Sequence, residues 1–375
     1  MYALQIQKKF ISNLILAVIF LSGTYGNSIC AQEVATSGKL EKPAPLFRQD
    51  TLTICFMGDM MMHAQQLERA YRGNGRYDFS SYFSLIEDRI RKADIAVANM
   101  EFTLAGEPYS GYPCFSAPDS YAEYLTECGF DVFLAANNHI LDMGSKGAER
   151  TADVFGRLGE EKGIIFTGLA RNEEERKAGY PLLIRRKGMS LAMLNFTYGT
   201  NLGADAHWPK TNYMGRRSEL LQALRDSEKA DIVIALPHWG PEYELIHSDS
   251  QEEVAEWLVD NGADVIIGTH PHVVQDTAHI DNTPVIYSLG NAVSNMSAAN
   301  TQLELMATLK IVRCGNGDIV MLPAELTWLW CSRPGGFSDD YTVVPVEEYI
   351  GRRDEWAGGW EYDKMTATYE RIKKQ

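Results

Sequence analysis

The chain has 375 residues, of which 45% are hydrophobic and 23% charged, and its formal net charge is −15. These values are ordinary for a soluble globular protein with a sizeable core, built as one large domain or two smaller ones. The negative charge argues against nucleic acid or an anionic membrane surface as the partner, because either requires a positive face.

The first 31 residues have the pattern of an export signal. Two lysines precede an apolar stretch from Phe10 to Leu21, and small and polar residues follow it. We therefore predict an exported protein, periplasmic or associated with the cell envelope, with cleavage after Ala31. Lipidation at Cys30 and an uncleaved segment that anchors the chain in the membrane are the alternatives. Residues 32–50 are predicted to be a linker.

Five cysteines follow the predicted signal. Cys55 lies in the first predicted strand and is interpreted as a buried thiol. The other four leave open one or two disulfides in an oxidising compartment, and a chain of this size requires none.

Apolar runs of strand length alternate with helical stretches from Leu52 to about Val293. This alternation predicts an α/β fold with right-handed crossovers and a largely parallel sheet. The predicted helices cover 80–92, 120–128, 146–162, 217–229 and 251–261, and further strands cover 163–167, 189–196 and 284–289.

The pattern changes after Val293. Residues 303–313 and 319–330 flank Asn316-Gly317, a strong hairpin signal that predicts an antiparallel element. Residues 361–374 have the spacing of an amphipathic surface helix. The predicted organisation is a signal peptide (1–31), a linker (32–50), a main domain (51–330) and a C-terminal extension (331–375).

Five of the apolar runs end on residues that can hold a metal, and four of them begin with an aspartate. Runs of this kind are typical of strands buried on both faces of a parallel sheet. Ligands collect at the carboxyl ends of such strands, which favours an enzyme site there. These ends carry Asp59, Asn99, Glu101, Asn138, His139, His238, His270 and His272.

The residue types at these ends suit a metal centre. His270 and His272 lie two residues apart just past a strand, and neutral imidazole binds zinc, iron and manganese. Asp59 and Glu101 provide the carboxylates that a two-metal site needs, although each also fits a turn or capping role. The sequence thus predicts one or two divalent metal ions, with manganese, iron and zinc all open.

The stretch Asn137-Asn138-His139 adds candidates for catalysis. The amide oxygen of Asn138 can bind a hard metal, while His139 stays free to protonate a leaving group. Asp142 is placed to orient His139 through a hydrogen bond. For His63 and for the turn 288–291, the sequence allows either a place in the site or a purely structural role.

Together these residues resemble the CapA (PgsA-like) family of capsule and poly-γ-glutamate synthesis proteins, over roughly residues 52–330. That family resembles a branch of the calcineurin-like metallophosphoesterases. The resemblance therefore implies a four-layer α/β/β/α sandwich with a two-metal centre. The matching segments are Gly58-Asp59-Met60-Met61, Ala98-Asn99-Met100-Glu101, Ala136-Asn137-Asn138-His139, His238-Trp239-Gly240 with Glu242-Tyr243, Gly268-Thr269-His270-Pro271-His272 and Tyr287-Ser288-Leu289-Gly290-Asn291.

The resemblance also implies roles for the residues at these positions. Asp59 and His272 would bind the first metal, Glu101 would lie near the bridging carboxylate, and His139 would be the general acid. The second metal would be held by Asn138, His238 and His270. The chain departs from the metallophosphoesterase pattern at Asp59-Met60-Met61, where Asp-Xaa-His is usual, and at the Asn99/Glu101 pair, which replaces a bridging Asp.

Two functions follow as hypotheses. The first is a metal-dependent hydrolase of capsule or poly-γ-glutamate biosynthesis, in which metal-bound hydroxide attacks a phosphoester or a γ-linked amide and His139 is the acid. The second is a non-catalytic envelope factor that binds an anionic polymer or the membrane proteins of capsule synthesis. The second hypothesis is motivated by the signal segment and by Met61, which stands two residues after Asp59 where the metallophosphoesterase pattern has a histidine.

Overall fold

The computed structural model describes residues 50–202 and 207–374, so the predicted signal peptide and all but the last residue of the predicted linker lie outside the described part. The strands are β1 (Asp50–Met60), β2 (Ile95–Met100), β3 (Val132–Leu134), β4 (Ile165–Thr167), β5 (Leu169–Ala170), β6 (Leu182–Arg186), β7 (Met189–Thr197), β8 (Lys210–Thr211), β9 (Ile232–His238), β10 (Val265–Ile267), β11 (Thr277–Ile280), β12 (Thr283–Ile286), β13 (Leu303–Arg313), β14 (Ile319–Met321), β15 (Glu325–Ser332) and β16 (Thr342–Pro345). The helices are α1 (Ala64–Ala70), α2 (Glu87–Lys92), α3 (Asp119–Glu127), α4 (Gly144–Lys162), α5 (Glu173–Gly179), α6 (Arg217–Asp226), α7 (Asp249–Asp260), α8 (Val346–Tyr349) and α9 (Gly359–Ile372).

Two large sheets form the centre of the fold. The larger has the order β16-β15-β13-β1-β2-β3-β4, with β14 paired to β13, and the second has the order β11-β12-β10-β9-β7-β6. Strands β1 to β4 are parallel, as are β7, β9, β10 and β12, whereas β13, β15 and β16 pair in the antiparallel sense. Strands β5 and β8 form a separate short pair.

Three apolar clusters show how the layers stack. Between the two sheets, residues such as Phe56 of β1 and Leu191 of β7 pack face to face. The outer face of the larger sheet is covered by helices α1 to α4, which bury side chains such as Phe155. Helices α6 and α7 cover the outer face of the second sheet with residues such as Leu224 and Leu258. The predicted four-layer α/β/β/α sandwich is therefore confirmed.

The aspartates that begin four of the apolar runs bond to a neighbouring strand at its amino end. In each case the backbone N–H of the aspartate donates to the carbonyl of a facing residue at 2.9 Å. The aspartate carboxylate accepts the N–H of that same residue, at 2.7 to 2.9 Å. These side chains satisfy N–H groups that would otherwise lack a partner where the strand pairing starts. The pairs are Asp94 with Thr53, Asp131 with Ala96, Asp231 with Ser190 and Asp264 with Val233.

Most predicted elements agree with the structure, and three differ. The strand predicted over 319–330 is wrong as a single element: it divides into β14 and β15 around Pro323, which has no N–H to donate to a ladder. The helix predicted over 80–92 begins only at Glu87, after a series of turns. The strand predicted over 284–289 is β12, which ends at Ile286. The hairpin at Asn316-Gly317 is confirmed, with Gly317 in the left-handed region.

Residues beyond 330, predicted as a C-terminal extension, continue the larger sheet. Strand β16 pairs with β15 as its edge strand. Helix α9, which confirms the helix predicted near the C-terminus, packs Met365 and Tyr369 against Trp330. Its buried Glu361 accepts hydrogen bonds from Gln302 and Ser332. This part of the chain is thus packed onto the main fold.

Two further observations concern the described residues alone. All five cysteines from Cys55 onward are free thiols, and Cys55 is buried as predicted. No helix within residues 50–202 and 207–374 has the length and apolar character needed to cross a membrane.

Candidate metal centre

The carboxyl ends of strands from both sheets meet at one place. Strand β1 contributes Asp59, the residue after β2 is Glu101, and β9 ends at His238. The segments after β3 and β10 supply the remaining predicted residues. The strand-end Asn99 and the eight residues predicted as metal ligands or as catalytic residues lie here and are buried; the eight are Asp59, Glu101, Asn138, His139, Asp142, His238, His270 and His272. Their roles as ligands or as acid stay predictions.

The backbone at the end of β1 lies unusually close to the backbone that follows β12, which brings the strand ends of the two sheets together. A Cβ atom on Gly58 would lie 1.9 Å from the carbonyl oxygen of Gly290, so only glycine fits at position 58. The next residue, Asp59, donates its N–H to that carbonyl at 3.0 Å. The Gly58 N–H donates to the buried Glu304 carboxylate at 3.1 Å. These contacts fix the backbone that carries Asp59.

The carboxylate of Asp59 is held by groups from both sheets. Its Oδ1 accepts a hydrogen bond from Asn99 Nδ2 at 2.7 Å, and its Oδ2 accepts the His270 N–H at 3.2 Å. His272 Nδ1 lies 3.3 Å from Oδ2. Asn291 Oδ1 lies 2.9 Å from the same ring nitrogen of His272. Asp59 is therefore fixed in orientation before any ligand binds.

Glu101 lies at the centre of the cluster without a hydrogen-bond partner. It is fully buried, and neither carboxylate oxygen has a donor among the described residues. The Nε2 atoms of His272, His238 and His139 lie 3.7, 3.8 and 3.9 Å from its Oε1. Burial and the nearby Asp59 raise the pKa of Glu101 well above its ordinary value. Such an arrangement is costly unless a cation joins it.

The histidines opposite Glu101 are held in the neutral form that metals require. His238 Nε2 lies 2.7 Å from Asn138 Oδ1, and its Nδ1 lies 3.0 Å from Thr269 Oγ1. His270 is buried, and its Nδ1 has no hydrogen-bond partner among the residues described. Burial, followed by the neighbouring imidazoles, lowers the pKa of both His238 and His270 well below the ordinary value.

The backbone at the His-Pro-His segment is unusual. His270 has a φ of 99° and His272 a φ of 59°, both in the left-handed region. Residues with a side chain rarely adopt this conformation, which costs on the order of 1–3 kcal/mol and persists only where the surroundings enforce it. This strained backbone places the imidazole of His270 near Glu101 and that of His272 near Glu101 and Asp59.

These residues fit a divalent metal. Three groups place one ligand atom from each residue within 4.8 Å of the others: Glu101 with His238 and His270, Asp59 with Glu101 and His272, and Glu242 with His270 and His272. The oxygens of Glu101 and the Nδ1 of His270, which lack partners within residues 50–202 and 207–374, are donor atoms of the type that such a metal uses. The mixed carboxylate and imidazole set admits manganese, iron or zinc.

His139 lies at the edge of the cluster with one ring nitrogen fixed. Its Nδ1 lies 2.7 Å from Asp142 Oδ2, which also accepts the Phe115 N–H at 2.8 Å. The ring packs edge-on against Phe115, with centroids 4.6 Å apart. Its Nε2 lies 3.3 Å from Asn201 Nδ2. The imidazole is therefore fixed in orientation, with Nε2 on the side of Glu101 and Asn201.

A cavity of about 330 Å³ opens onto the cluster. His139 and His272 form part of its wall, and the exposed Tyr112 and Tyr243 form part of its rim. His63, which the sequence left open, also lines it, and burial lowers the pKa of His63 to about 4. The other lining residues among those described are Met61, Pro113, Cys114, Asn201, Leu202, Glu242 and Met296.

Sequence reasoning did not assign several residues that the structure places here. Asn291 belongs to the turn 288–291, where its Oδ1 lies 2.9 Å from His272 Nδ1 and where Gly290 makes the close backbone approach to Gly58. Glu242 and Asn201 lie in loops, where no strand pattern marks them. Glu304 lies within β13 and reads as an ordinary strand residue, yet it is fully buried. Burial and Asp59 raise the pKa of Glu304 well above the ordinary value, despite the hydrogen bond from Gly58.

The sequence is similar to those of two bacterial proteins named for capsule or PGA biosynthesis. The chain is 26% identical to "PGA biosynthesis protein CapA" of Bacillus subtilis (strain 168) over 302 residues, covering 77% of this chain and 76% of that protein. It is 28% identical to "Capsule biosynthesis protein CapA" of Bacillus anthracis over 304 residues, covering 77% and 71%.

Among solved structures, a 5′-nucleotidase precursor from Thermus thermophilus aligns at 12% identity with a TM-score of 0.45, covering 86% of this chain and 59% of that one. The family described as "Bacterial capsule synthesis protein PGA_cap" matches residues 53–296. The chain therefore belongs to the PGA_cap family of bacterial capsule synthesis proteins.

Proposed function

We propose that this protein is a metal-dependent hydrolase acting in the biosynthesis of a capsule or of poly-γ-glutamate. The observation that carries the proposal is Glu101, a buried carboxylate without a hydrogen-bond partner among the described residues, faced by three imidazoles. A purely structural carboxylate would be paired, because an unpaired buried charge costs several kcal/mol. Its retention is explained if a cation is its partner.

The ligands separate into two groups that share Glu101. Asp59, Glu101 and His272 would hold one divalent metal. Glu101, His238 and His270 would hold a second, with Asn138 Oδ1 beside His238 as a further oxygen donor. A metal bound in such a site supplies a Lewis acid and lowers the pKa of water.

His139 is the proposed proton donor. Asp142 Oδ2 lies at hydrogen-bonding distance from Nδ1, so Nε2, on the side of Glu101 and Asn201, is the ring atom that would carry the transferred proton. His139 lines the cavity, where a leaving group would enter. In the proposed reaction Nε2 protonates the leaving oxygen or nitrogen, and Asp142 keeps the ring in position.

The substrate class follows from the family and remains a proposal. Two curated relatives are named for PGA or capsule biosynthesis, which favours a phosphoester or a γ-linked amide of an envelope polymer. Export to the periplasm or cell envelope, and contact with membrane proteins of capsule synthesis, are proposed on the residues that precede the described fold.

The test compares two His–Asp pairs of similar geometry. His139→Asn is expected to lower turnover of an aryl phosphate or of poly-γ-glutamate by about 10²–10⁴-fold in metal-loaded protein. The control is His247→Asn, because His247 Nδ1 lies 2.8 Å from Asp276 Oδ2 but His247 does not line the cavity. Unchanged turnover in both His139→Asn and His270→Ala would reject the proposal.

A non-catalytic envelope factor is the second candidate. The observation that favours it is Met61, which is buried in the cavity wall at a position where related phosphoesterases are expected to supply a histidine ligand. Metal analysis discriminates between the two candidates. Less than one metal per chain after gentle purification, together with full capsule formation by a His270/His272 double variant, would favour this role.

A further inference from the structure

Glu242 is an exposed carboxylate next to two buried histidines. It follows β9 in the loop 239–248, and one of its oxygens lies within 4.8 Å of a ring nitrogen of both His270 and His272. An exposed acidic residue alone would be an ordinary solvated side chain. Here the carboxylate lies beside His270, which is buried and whose Nδ1 has no hydrogen-bond partner in the described part of the chain.

The loop that carries Glu242 is fixed to the His-Pro-His segment. The Tyr243 N–H donates to the carbonyl of Pro271, between the two histidines, at 2.8 Å. Tyr243 has a φ of 69°, in the left-handed region. Gln275 Nε2 donates to the Glu244 carbonyl at 3.0 Å, and the buried Gln251 donates to Gln275 at 2.8 Å. The backbone that directly follows Glu242 is therefore held against the His-Pro-His segment.

The cavity that Glu242 lines contains, among the described residues, no fixed positive charge that would explain its position. The cavity it lines includes three histidines and, among the described residues, neither lysine nor arginine. The adjacent Tyr243 hydroxyl is a neutral hydrogen-bond partner; burial and then this bond raise the pKa of Tyr243. A carboxylate held beside two imidazoles, one of them unpartnered, has the donor set of a divalent cation site.

We propose that Glu242 is a metal ligand, closing from the cavity rim a centre whose other ligands come from the strand ends below. One ligand atom from each of Glu242, His270 and His272 lies within 4.8 Å of the others, so Glu242 would complete the ligand set of a cation that either histidine holds. This inference rests on the metal centre of the proposed function but not on hydrolysis. It assigns to an exposed loop residue a role that strand patterns do not reveal.

Binding of Mn²⁺ tests the inference without an activity measurement. Full-length apo protein is titrated with Mn²⁺, free ion is measured by electron paramagnetic resonance, and bound metal is counted by mass spectrometry. Glu242→Gln is expected to weaken at least one Mn²⁺ site by about tenfold or more, since even groups that only orient ligands contribute about 10–100-fold. Glu244→Gln, two residues away and also exposed, should bind as wild type does.

Thermal unfolding provides the second measurement. Because Glu242 is exposed, Glu242→Gln should unfold at the wild-type temperature without metal and gain less stability from Mn²⁺. Equal Mn²⁺ affinity and stoichiometry in wild type, Glu242→Gln and Glu244→Gln would overturn the inference, as would a wild type that binds no Mn²⁺. Glu242-dependent binding in a protein without hydrolase activity would support it while rejecting the proposed function.

Discussion

The parallel strands of both sheets carry polar residues at each end, and the two ends are bonded in opposite ways. At the amino ends, Asp131 and Asp264 each accept the N–H of a residue on the adjacent strand. At the carboxyl ends, Glu101 and His270 retain atoms without a hydrogen-bond partner among the residues described. Satisfied side chains at one end stabilise the sheet, whereas unsatisfied ones at the other end are available for a ligand.

This contrast distinguishes structural from functional polar residues better than residue type does. Aspartates occur at both ends, and a raised pKa does not separate structural from functional carboxylates, because desolvation raises the pKa of the partly buried Asp131 and of Asp264 as it raises that of Glu101. What differs is whether the fold itself provides the partner. Substitutions at the carboxyl ends should therefore change activity and metal binding, and substitutions at the amino ends should change the free energy of unfolding.

The largest expected effect is at Glu101. Glu101→Gln should lower activity by about 100-fold or more, because the shared ligand of both metal groups is lost. The apo protein should unfold with a free energy unchanged or about 1 kcal/mol higher, since an unpaired buried carboxylate is removed. Chemical unfolding of metal-free protein and turnover of loaded protein measure the two effects. Parallel losses of activity and apo stability would show that Glu101 is structural.

Metal binding should stabilise the wild-type protein more than a variant that lacks one of the predicted ligands at the carboxyl ends of the strands. At a free metal concentration of about 100 times Kd, one bound cation adds about 2.7 kcal/mol to the free energy of unfolding. Asp59→Asn removes a predicted ligand and should lose much of this gain. Thermal unfolding with Mn²⁺ and after chelation measures it. An equal gain in both proteins would place the metal elsewhere.

The amino ends should show the reverse behaviour. Asp264→Ala and Asp131→Ala remove the acceptor of a backbone N–H and should lower the free energy of unfolding by about 1–3 kcal/mol. Metal content per folded chain should stay at the wild-type value. Asp231→Ala is the matched control, because the hydrogen bond that Asp231 accepts from the Ser190 N–H is exposed, whereas those of Asp131 and Asp264 are partly buried. Water can replace the exposed bond, so the loss should be smaller. Loss of metal from Asp264→Ala would contradict the division between the two ends.

The smallest predicted effect concerns acid. His63 has a folded-state pKa of about 4 against an ordinary 6.5, so its neutral form is favoured by folding. Its contribution to stability is present above pH 6.5 and is lost as pH falls toward 4. Between pH 6.5 and 5.5 this amounts to about 1 kcal/mol in the free energy of unfolding. His63→Asn should reduce the pH dependence by that amount in urea titrations; identical curves would reject the assignment.

The strand ends were predictable because each has a local sequence pattern. An apolar run followed by Asp59 or His270 marks both the strand and the side chain at its end. The resemblance to a known family then related ends that lie far apart in the chain. The family and the four-layer fold were accordingly predicted from the sequence.

The remaining site residues depend on which strands are neighbours. Glu304 reaches Gly58 across 246 positions of sequence, and nothing in the pattern of β13 marks it as buried. The role of Asp131 and Asp264 also requires the strand order, since each bonds to the adjacent strand. Glu242 lies in a loop whose conformation is set by Pro271 and Gln275. These positions follow from tertiary contacts, which local periodicity does not encode.

The hydrogen bond from the His270 N–H to the Asp59 carboxylate also has a consequence for the order of folding events. It joins residues 211 positions apart, one from each sheet, so it forms only when the two sheets have closed on each other. Contacts of such long range are slow to form and come late in folding. The predicted metal ligands are thus brought together only when the two sheets pack against each other. A cation would enter a finished centre through the cavity, and the compartment in which the chain completes its folding would decide which metal it acquires.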